Sequence, residues 1–204
     1  MDIKMIVTDL DGTLLKTDKT VSEYTKNILS QCRDADIKVV YATARGGSAE
    51  RLVSDTFVDG KIRMNGAIAK IGDDVVYDRL IPHQIDSEKI FMVELTQDDV
   101  FFIENQLPDC LYFVMSREGN GFGMIMHKDA TKAKAVSALA DFWGIKQSEI
   151  AAFGDDLNDM DMLSFAGVSV AIGNAIDKVK NIANYVCLDN DSDGVAKWLE
   201  ENVL

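Results

Sequence analysis

Ile3-Lys4-Met5-Ile6-Val7-Thr8 runs directly into Asp9-Leu10-Asp11-Gly12-Thr13. A short apolar run that stops at an acidic, glycine-containing turn reads as a buried strand of a parallel sheet. In an extended turn, side chains two residues apart point the same way, so Asp9 and Asp11 face one place. Two carboxylates held close repel each other unless a cation lies between them or one carries a proton. Gly12 lets the backbone turn sharply after them. Alone, an Asp-x-Asp pair reads as a solvated acidic turn; following a hydrophobic strand, it reads as chemistry.

Outward from this turn the pattern alternates. Residues 20–33 carry Val21, Tyr24, Ile28, Leu29 and Cys32 at helical spacing. Residues 37–42 form a second apolar run, which ends at Thr43, and residues 47–57 suit a helix. Strand, helix, strand at this spacing is a parallel crossover unit. The C-terminal third repeats it. Residues 131–143 read as a helix, 150–153 as a strand stopped by Gly154-Asp155, and 157–165 as a helix. Residues 168–172 read as a strand stopped by Gly173-Asn174. A further helix, a strand at 185–188 and a last helix from Gly194 follow.

The middle differs. Residues 61–80 look like short strands broken at Asn65-Gly66 and Gly72-Asp73, both turn signals. Beyond Pro82 the expected order is strand (90–95), helix (97–107), strand (111–116), a turn at Gly119-Asn120-Gly121 and strand (122–127). The fold class is therefore α/β: a doubly wound, parallel-sheet, Rossmann-like core with a small inserted α+β cap. Residues 1–81 and 129–204 are expected to build the core, and 82–128 the cap. The cap strands are too apolar for a free-standing lid, so their face should pack on the core or on a second subunit. A homodimer through the cap is the expectation.

Composition narrows the function. With 204 residues and 47% hydrophobic side chains, the chain can bury a sizeable core. A formal net charge of −13 disfavours nucleic acid and anionic membrane surfaces, whose binding rests on clustered Lys and Arg. Cys32, Cys110 and Cys187 match no metal spacing and lie in or beside apolar stretches. They read as buried free thiols in a reducing, cytoplasmic protein. The N-terminus is unlike a signal peptide, and no apolar run approaches a membrane span.

Each core strand ends in a residue suited to chemistry: Asp9, Thr43, Asp155 and Asn174. Open α/β sheets bind ligands at the carboxyl ends of their strands, so these segments should converge on one crevice. Asp155 and Asp159, four apart, share a helical face. With Asp156 they resemble a hard-cation site of the kind magnesium prefers. Helix capping accounts for Asp156 alone, but not for four acidic residues, counting Asp161, within seven positions. Thr43, Ala44 and Arg45 offer a hydroxyl and backbone amides as an anion cradle, although Thr43 taken singly is an ordinary cap. Lys132 opens a helix, where a cation opposes the dipole, which hints at a partner such as phosphate or carboxylates.

These residues together resemble the haloacid dehalogenase superfamily of phosphohydrolases. Its four motifs appear in order: Asp9-Leu10-Asp11-Gly12-Thr13, Thr43 after a strand, Lys132, and Gly154-Asp155-Asp156-Leu157-Asn158-Asp159. Ala42-Thr43-Ala44-Arg45, Asn65-Gly66-Ala67 and Asp193-Gly194-Val195-Ala196 resemble the Cof-type subgroup (subclass IIB-like). That subgroup has Gly where Ala44 and Ala133 stand here, and a cap about twice as long. The resemblance implies a magnesium-dependent phosphatase acting on small-molecule phosphate monoesters, sugar phosphates among them. In that scheme Asp9 attacks phosphorus and Asp11 serves as acid, then base. Magnesium (Mg2+) is held by Asp9, the Asp11 backbone carbonyl and Asp155. Thr43, Ala44, Lys132 and Asn158 hold the phosphoryl group, and Arg45 and Asp159 support from behind. An anionic nucleophile approaching an anionic phosphate needs such cations whatever the family.

Two rivals use similar residues. A phosphomutase or phosphotransferase would share the nucleophile but hand phosphate to another acceptor. A receiver-like signalling domain would be phosphorylated on Asp without turnover; the paired Asp9 and Asp11 and the inserted cap argue against it.

Overall fold

The computed structural model describes residues 1–79, 81, 90–92, 103, 105–115 and 123–204. Along the chain the strands are β1 (Met5–Thr8), β2 (Lys38–Ala42), β3 (Gly60–Arg63), β4 (Ile68–Ile71), β5 (Asp74–Asp78) and β6 (Ile90–Met92). There follow β7 (Leu111–Met115), β8 (Gly123–His127), β9 (Ile150–Gly154), β10 (Val168–Ala171) and β11 (Tyr185–Val186). The α-helices are α1 (Glu23–Asp34), α2 (Lys132–Trp143), α3 (Met160–Phe165), α4 (Asp177–Ile182) and α5 (Gly194–Asn202).

Among the described residues, eight strands form one sheet in the order β11-β10-β9-β1-β2-β3-β4-β5. β1 lies between β2 and β9 and runs parallel to both. The chain moves outward through β2 and β3, then resumes on the opposite side of β1 with β9. That reversal opens a crevice at the carboxyl end of β1, the usual place for a ligand in such sheets. β4 and β5 are antiparallel additions, as the turn signals at Asn65-Gly66 and Gly72-Asp73 require.

Both faces of the sheet are covered. Ile6 of β1 packs with Ile28, Leu29 and Cys32 of α1 and Val195 and Leu199 of α5. Its neighbours Met5 and Val7 point to the other face, among Val136 and Leu139 of α2, Met162 of α3 and Val179 of α4. Two-sided burial is why these strands are near-continuous apolar runs. Phe153 meets Trp198 edge-on at 5.3 Å between ring centroids, joining β9 to α5.

A separate three-stranded antiparallel sheet has the order β6-β8-β7. Leu111, Phe113 and Ile125 on one face pack with Ile81, Ile103 and Leu107. Tyr112, Met124 and Met126 on the other pack with Met64, Ala67 and Ala130. The apolar face foreseen in the sequence therefore has core residues of the same chain beside it. Phe113 sits in the small sheet's own cluster rather than on an open face.

Some expectations change. The helix expected over 47–57 is a 3-10 turn at Gly47–Arg51 followed by irregular chain. Paired glycines start it poorly, and the Ser54 hydroxyl takes the Thr56 N–H at 3.3 Å, competing with helix bonds. Most of the 97–107 helix and the turn at 119–121 fall outside the described residues. Of the three free cysteines only Cys32 is buried, its thiol pushed up to about 11 by burial; Cys110 and Cys187 are half-buried. No helix among the described residues is long and apolar enough to cross a membrane.

Candidate active site

Register assembles the site. Thr8 lies beside Tyr41 on one side and Phe153 on the other. Asp9, Thr43 and Asp155 therefore leave the sheet at nearly the same level. Asp9 is held there by its N–H, which donates to the Phe153 carbonyl at 3.0 Å, and Thr43 by donation to Ile62 at 2.9 Å. Gly12 has φ +82°, and a Cβ on it would meet Asp155 Oδ2 at 2.6 Å. Only glycine lets the loop after β1 turn this tightly against the loop after β9.

Lys132 occupies the centre. Its side chain is fully buried, and its ammonium lies 2.6 Å from Asp9 Oδ1 and 2.5 Å from Asp159 Oδ1. Burial works against its charge, but the two carboxylates outweigh burial and hold its pKa above the ordinary lysine value. Asp159 is fully committed. Its Oδ2 accepts from the backbone N–H groups of Asp155 and Asp156 at 3.0 and 3.1 Å. It orients Lys132 and shapes the loop.

Asp155 accepts a hydrogen bond from the Thr13 hydroxyl at 2.7 Å. Carboxylate oxygens of Asp9, Asp155 and Asp159 lie within 4.8 Å of one another. Burial pushes Asp9 up to about 8, with Lys132 pulling it down and the charges of Asp159 and Asp155 adding to the rise. Burial likewise pushes Asp155 up to about 6, against the Thr13 hydrogen bond. Two buried carboxylates share one ammonium with a third, partly buried, beside them, and this crowding of acidic oxygens fits a divalent cation. Oxygen donors suit magnesium, with Asp9 and Asp155 free of the backbone bonds that occupy Asp159.

Asp11 is placed differently. Arg45 grips it with a two-pronged ion pair, Nε to Oδ2 at 2.5 Å and Nη2 to Oδ1 at 2.6 Å. Lys19 adds a third contact at 2.9 Å. The Arg45 hydrogen bonds, aided by Lys19, hold the Asp11 carboxyl below the usual range despite its partial burial. The Asp11 side chain thus lies outside the clustered carboxylates.

The Thr43 hydroxyl accepts from Arg45 N–H at 3.1 Å, which bends the Thr43-Ala44-Arg45 loop back on itself. Asn158, exposed on the 3-10 turn at Leu157–Asp159, donates to Asn65 Oδ1 at 3.1 Å. Of the three residues read from the sequence as a hard-cation site, Asp155 and Asp159 stand in the carboxylate cluster with Asp9. Asp156 caps that turn through Leu157 N–H at 2.7 Å. Asp161 braces α2 by accepting from Ala133 N–H at 3.1 Å. Asn174 braces the loop after β1, donating to the Gly12 carbonyl at 2.8 Å.

Thr13, Lys19 and Asn65 contact site residues without having been assigned a role from the sequence. Thr13 and Asn65 stand in stretches already singled out; Lys19 carries no local signal. An opening of about 400 Å³ beside Gly12 is lined by Lys16, Lys19, Asn174 and Asn190 among others. A cavity of about 540 Å³ lies apart from the site, between α1 and the chain from Glu50 to Lys61.

The model of the haloacid dehalogenase-like hydrolase family matches residues 6–107 and 82–199. A 5-amino-6-(5-phospho-D-ribitylamino)uracil phosphatase of Bacillus subtilis is 27% identical over 260 residues, covering 97% of this chain and 96% of that one. A phosphoglycolate phosphatase of Archaeoglobus fulgidus is 28% identical over 218 residues, with 97% and 96% covered. A relative in Haemophilus influenzae is 38% identical over 124 residues, which span 59% of this chain and only 44% of that one. A solved phosphatase of the same superfamily from Bacteroides thetaiotaomicron superposes with a TM-score of 0.85 at 25% identity, over 98% and 94% of the two chains. The chain belongs to the haloacid dehalogenase-like hydrolases. Within them it is of the Cof type, a phosphoric monoester hydrolase with an α/β core.

Proposed function

We propose that the protein hydrolyses small-molecule phosphate monoesters in a magnesium-dependent reaction that passes through an aspartyl-phosphate on Asp9. The observation that carries this reading is the buried Asp9–Lys132–Asp159 chain of ion pairs beside Asp155. In the first step an Asp9 oxygen attacks phosphorus, the bond from phosphorus to the ester oxygen breaks, and that oxygen takes a proton from Asp11. In the second step water attacks phosphorus, Asp11 takes its proton, and the bond to Asp9 breaks, releasing inorganic phosphate. Lys132 neutralises charge on the transferred group, with Asp159 fixing its direction. Thr43, the Ala44 amide and Asn158 would hold the other phosphoryl oxygens. Asp9, the Asp11 carbonyl and Asp155 would hold magnesium, which supplies positive charge to the phosphoryl oxygens when bound.

Asp11 needs its proton only for a poorly stabilised leaving group. Arg45 favours the charged form, so delivering a proton requires Arg45 to let go. Aryl phosphates, whose leaving group carries its own charge, should escape this requirement.

Residues 82–128 are assigned as the cap that selects the leaving group, since none of the proposed site residues falls there. Sugar phosphates are the favoured substrates. The named relatives act on a phosphorylated ribitylamino-uracil and on phosphoglycolate, so small phosphorylated metabolites are the class to screen. Water is the favoured acceptor, with transfer to another acceptor as the alternative. A second copy of the chain, meeting the first through the cap, is the proposed partner; in support, the small sheet has β6 and β7 at its edges. Free cysteines fit a reducing cytoplasm. The deciding assay is steady turnover of an aryl phosphate with magnesium, with chelator, and in Asp9→Asn. Turnover should be abolished in the last two; equal rates in chelator would overturn the metal assignment.

A further inference from the structure

The turn between β3 and β4 has no part in the chemistry above, yet three of the phosphate-holding segments meet it. Met64 and Asn65 both have left-handed backbones, with φ 52° and 53°, and Gly66 follows at 96°. Asn and Gly adopt this region readily, but for Met it costs on the order of 1–3 kcal/mol and persists only where the surroundings impose it. Here the surroundings are the site. Met64 N–H donates to the Arg45 carbonyl and Asn65 N–H to the Thr43 carbonyl, each at 3.0 Å. A Cβ on Gly66 would meet the Thr131 carbonyl oxygen at 2.0 Å, so the turn lies directly against the peptide that leads into Lys132. Asn65 Oδ1 accepts from Asn158 Nδ2 at 3.1 Å.

The last contact has a chemical consequence. A carboxamide has a donor end and an acceptor end of nearly the same shape, and a phosphoryl oxygen only accepts. Asn158 can serve phosphate only with its nitrogen inward; flipped, it would set one acceptor against another. With Asn65 Oδ1 accepting one of the two Asn158 N–H groups, the second N–H is left for phosphate.

We propose that Asn65 is a positioning residue for the phosphate: it sets the amide orientation of Asn158, from a turn that also fixes the Thr43 loop and the approach to Lys132. This rests on the reading of Asn158 as a phosphate ligand. The test uses the full chain with magnesium, measuring inorganic phosphate binding by calorimetry and KM for an aryl phosphate. Asn65→Gly tolerates the left-handed backbone and should melt close to wild type. It should weaken phosphate and raise KM by about 3- to 10-fold, the worth of one hydrogen bond, with little change in kcat. Asn158→Ala should do the same, and adding Asn65→Gly to it should cost nothing more. In Asn65→Asp, which keeps the left-handed tolerance and an oxygen toward Asn158, Asn158→Ala should cost the same factor as in wild type.

Wild-type phosphate affinity in Asn65→Gly overturns the proposal. So does a loss that persists undiminished in the Asn158→Ala background. If Asn158→Ala leaves phosphate binding unchanged, the proposal falls while magnesium-dependent turnover keeps the phosphatase reading standing. A wild-type protein that binds phosphate with this coupling but turns over no ester keeps the proposal and overturns the reading of the reaction.

Discussion

Lys132→Met removes the one ammonium between Asp9 and Asp159 and keeps a long apolar side chain in its place. The ammonium is fully buried and lies 2.6 and 2.5 Å from the two carboxylates. Taking one partner from a buried ion pair leaves uncompensated charge and costs about 3–5 kcal/mol. Asp159 loses its partner outright, and Asp9 loses a hydrogen-bond donor. Against this, burial already favours the protonated form of Asp9 in the metal-free protein, and losing Lys132 favours it further, which limits the share of Asp9 in the loss. The net expectation in chelator is a loss of about 3–4 kcal/mol. For a chain of 204 residues, each kcal/mol moves the melting temperature by about 2–4 °C, so Tm should fall by about 6–16 °C.

Circular-dichroism melts of wild type, Lys132→Met and Lys134→Met, with chelator and with magnesium, provide the measurement. Lys134 pairs with Asp129 at the surface, and such pairs contribute about 0–1 kcal/mol, so its loss should be nearly silent. Magnesium should recover part of the Lys132→Met deficit, because a second cation compensates the same carboxylates. Aryl phosphate turnover should fall by about 10²–10³-fold, as for other losses of a preorganised electrostatic partner. A Lys132→Met protein that melts within about 2 °C of wild type in chelator would refute the view that this lysine holds the site's charges together.

Asp155→Asn should raise the magnesium concentration needed for half-maximal turnover by at least about 10-fold, the lower end of what changes around a metal site produce; an unchanged magnesium requirement in a titration would remove Asp155 from the ligand set. Because Asp155 and Asp9 are pushed up to about 6 and about 8, the metal-free native state holds protons that the unfolded chain has released. Their contribution to stability is complete below the ordinary carboxyl value and is lost as pH rises through those two values. Magnesium takes the place of those protons, so the rise in Tm on adding it should be larger near pH 8 than near pH 6; the opposite order in thermal melts would contradict the charge accounting. Light scattering should report a mass above the 22.5 kDa of one chain if the cap joins two copies; a monodisperse monomer at micromolar concentration would end that proposal.

Much of the fold was legible because two-sided burial leaves a plain mark. The runs at β1, β2, β9 and β10 are apolar on both faces and stop at polar residues, so strand ends could be read directly. The sequence pattern alone therefore brings Asp9, Thr43 and Asp155 to one end of the sheet. What stayed hidden was partner choice within the cluster. Spacing set Asp155 and Asp159 on one face and left Asp156 to capping, but did not show that Asp159 is taken up by Lys132 and two backbone N–H groups while Asp155 is not. The Arg45 grip on Asp11 joins residues 34 positions apart and follows from β1 lying beside β2. Asn65-Gly66 was legible as a turn, but its contacts with Thr43, Thr131 and Asn158 depend on β3 standing beside β2 and on α2 crossing the sheet. The segment 47–57 misled because its apolar spacing is helical, while the Gly46-Gly47 pair at its start and its Ser54 hydroxyl favour irregular chain.

The central claim is that phosphate passes through Asp9. The direct measurement is an acid quench during turnover of a substrate labelled with radioactive phosphate, followed by peptide mapping. The account predicts label that survives acid but not hydroxylamine, confined to the peptide containing Asp9 and absent from Asp9→Asn. Steady turnover by the wild-type protein with no labelled peptide, together with undiminished hydrolysis by Asp9→Asn, would contradict it.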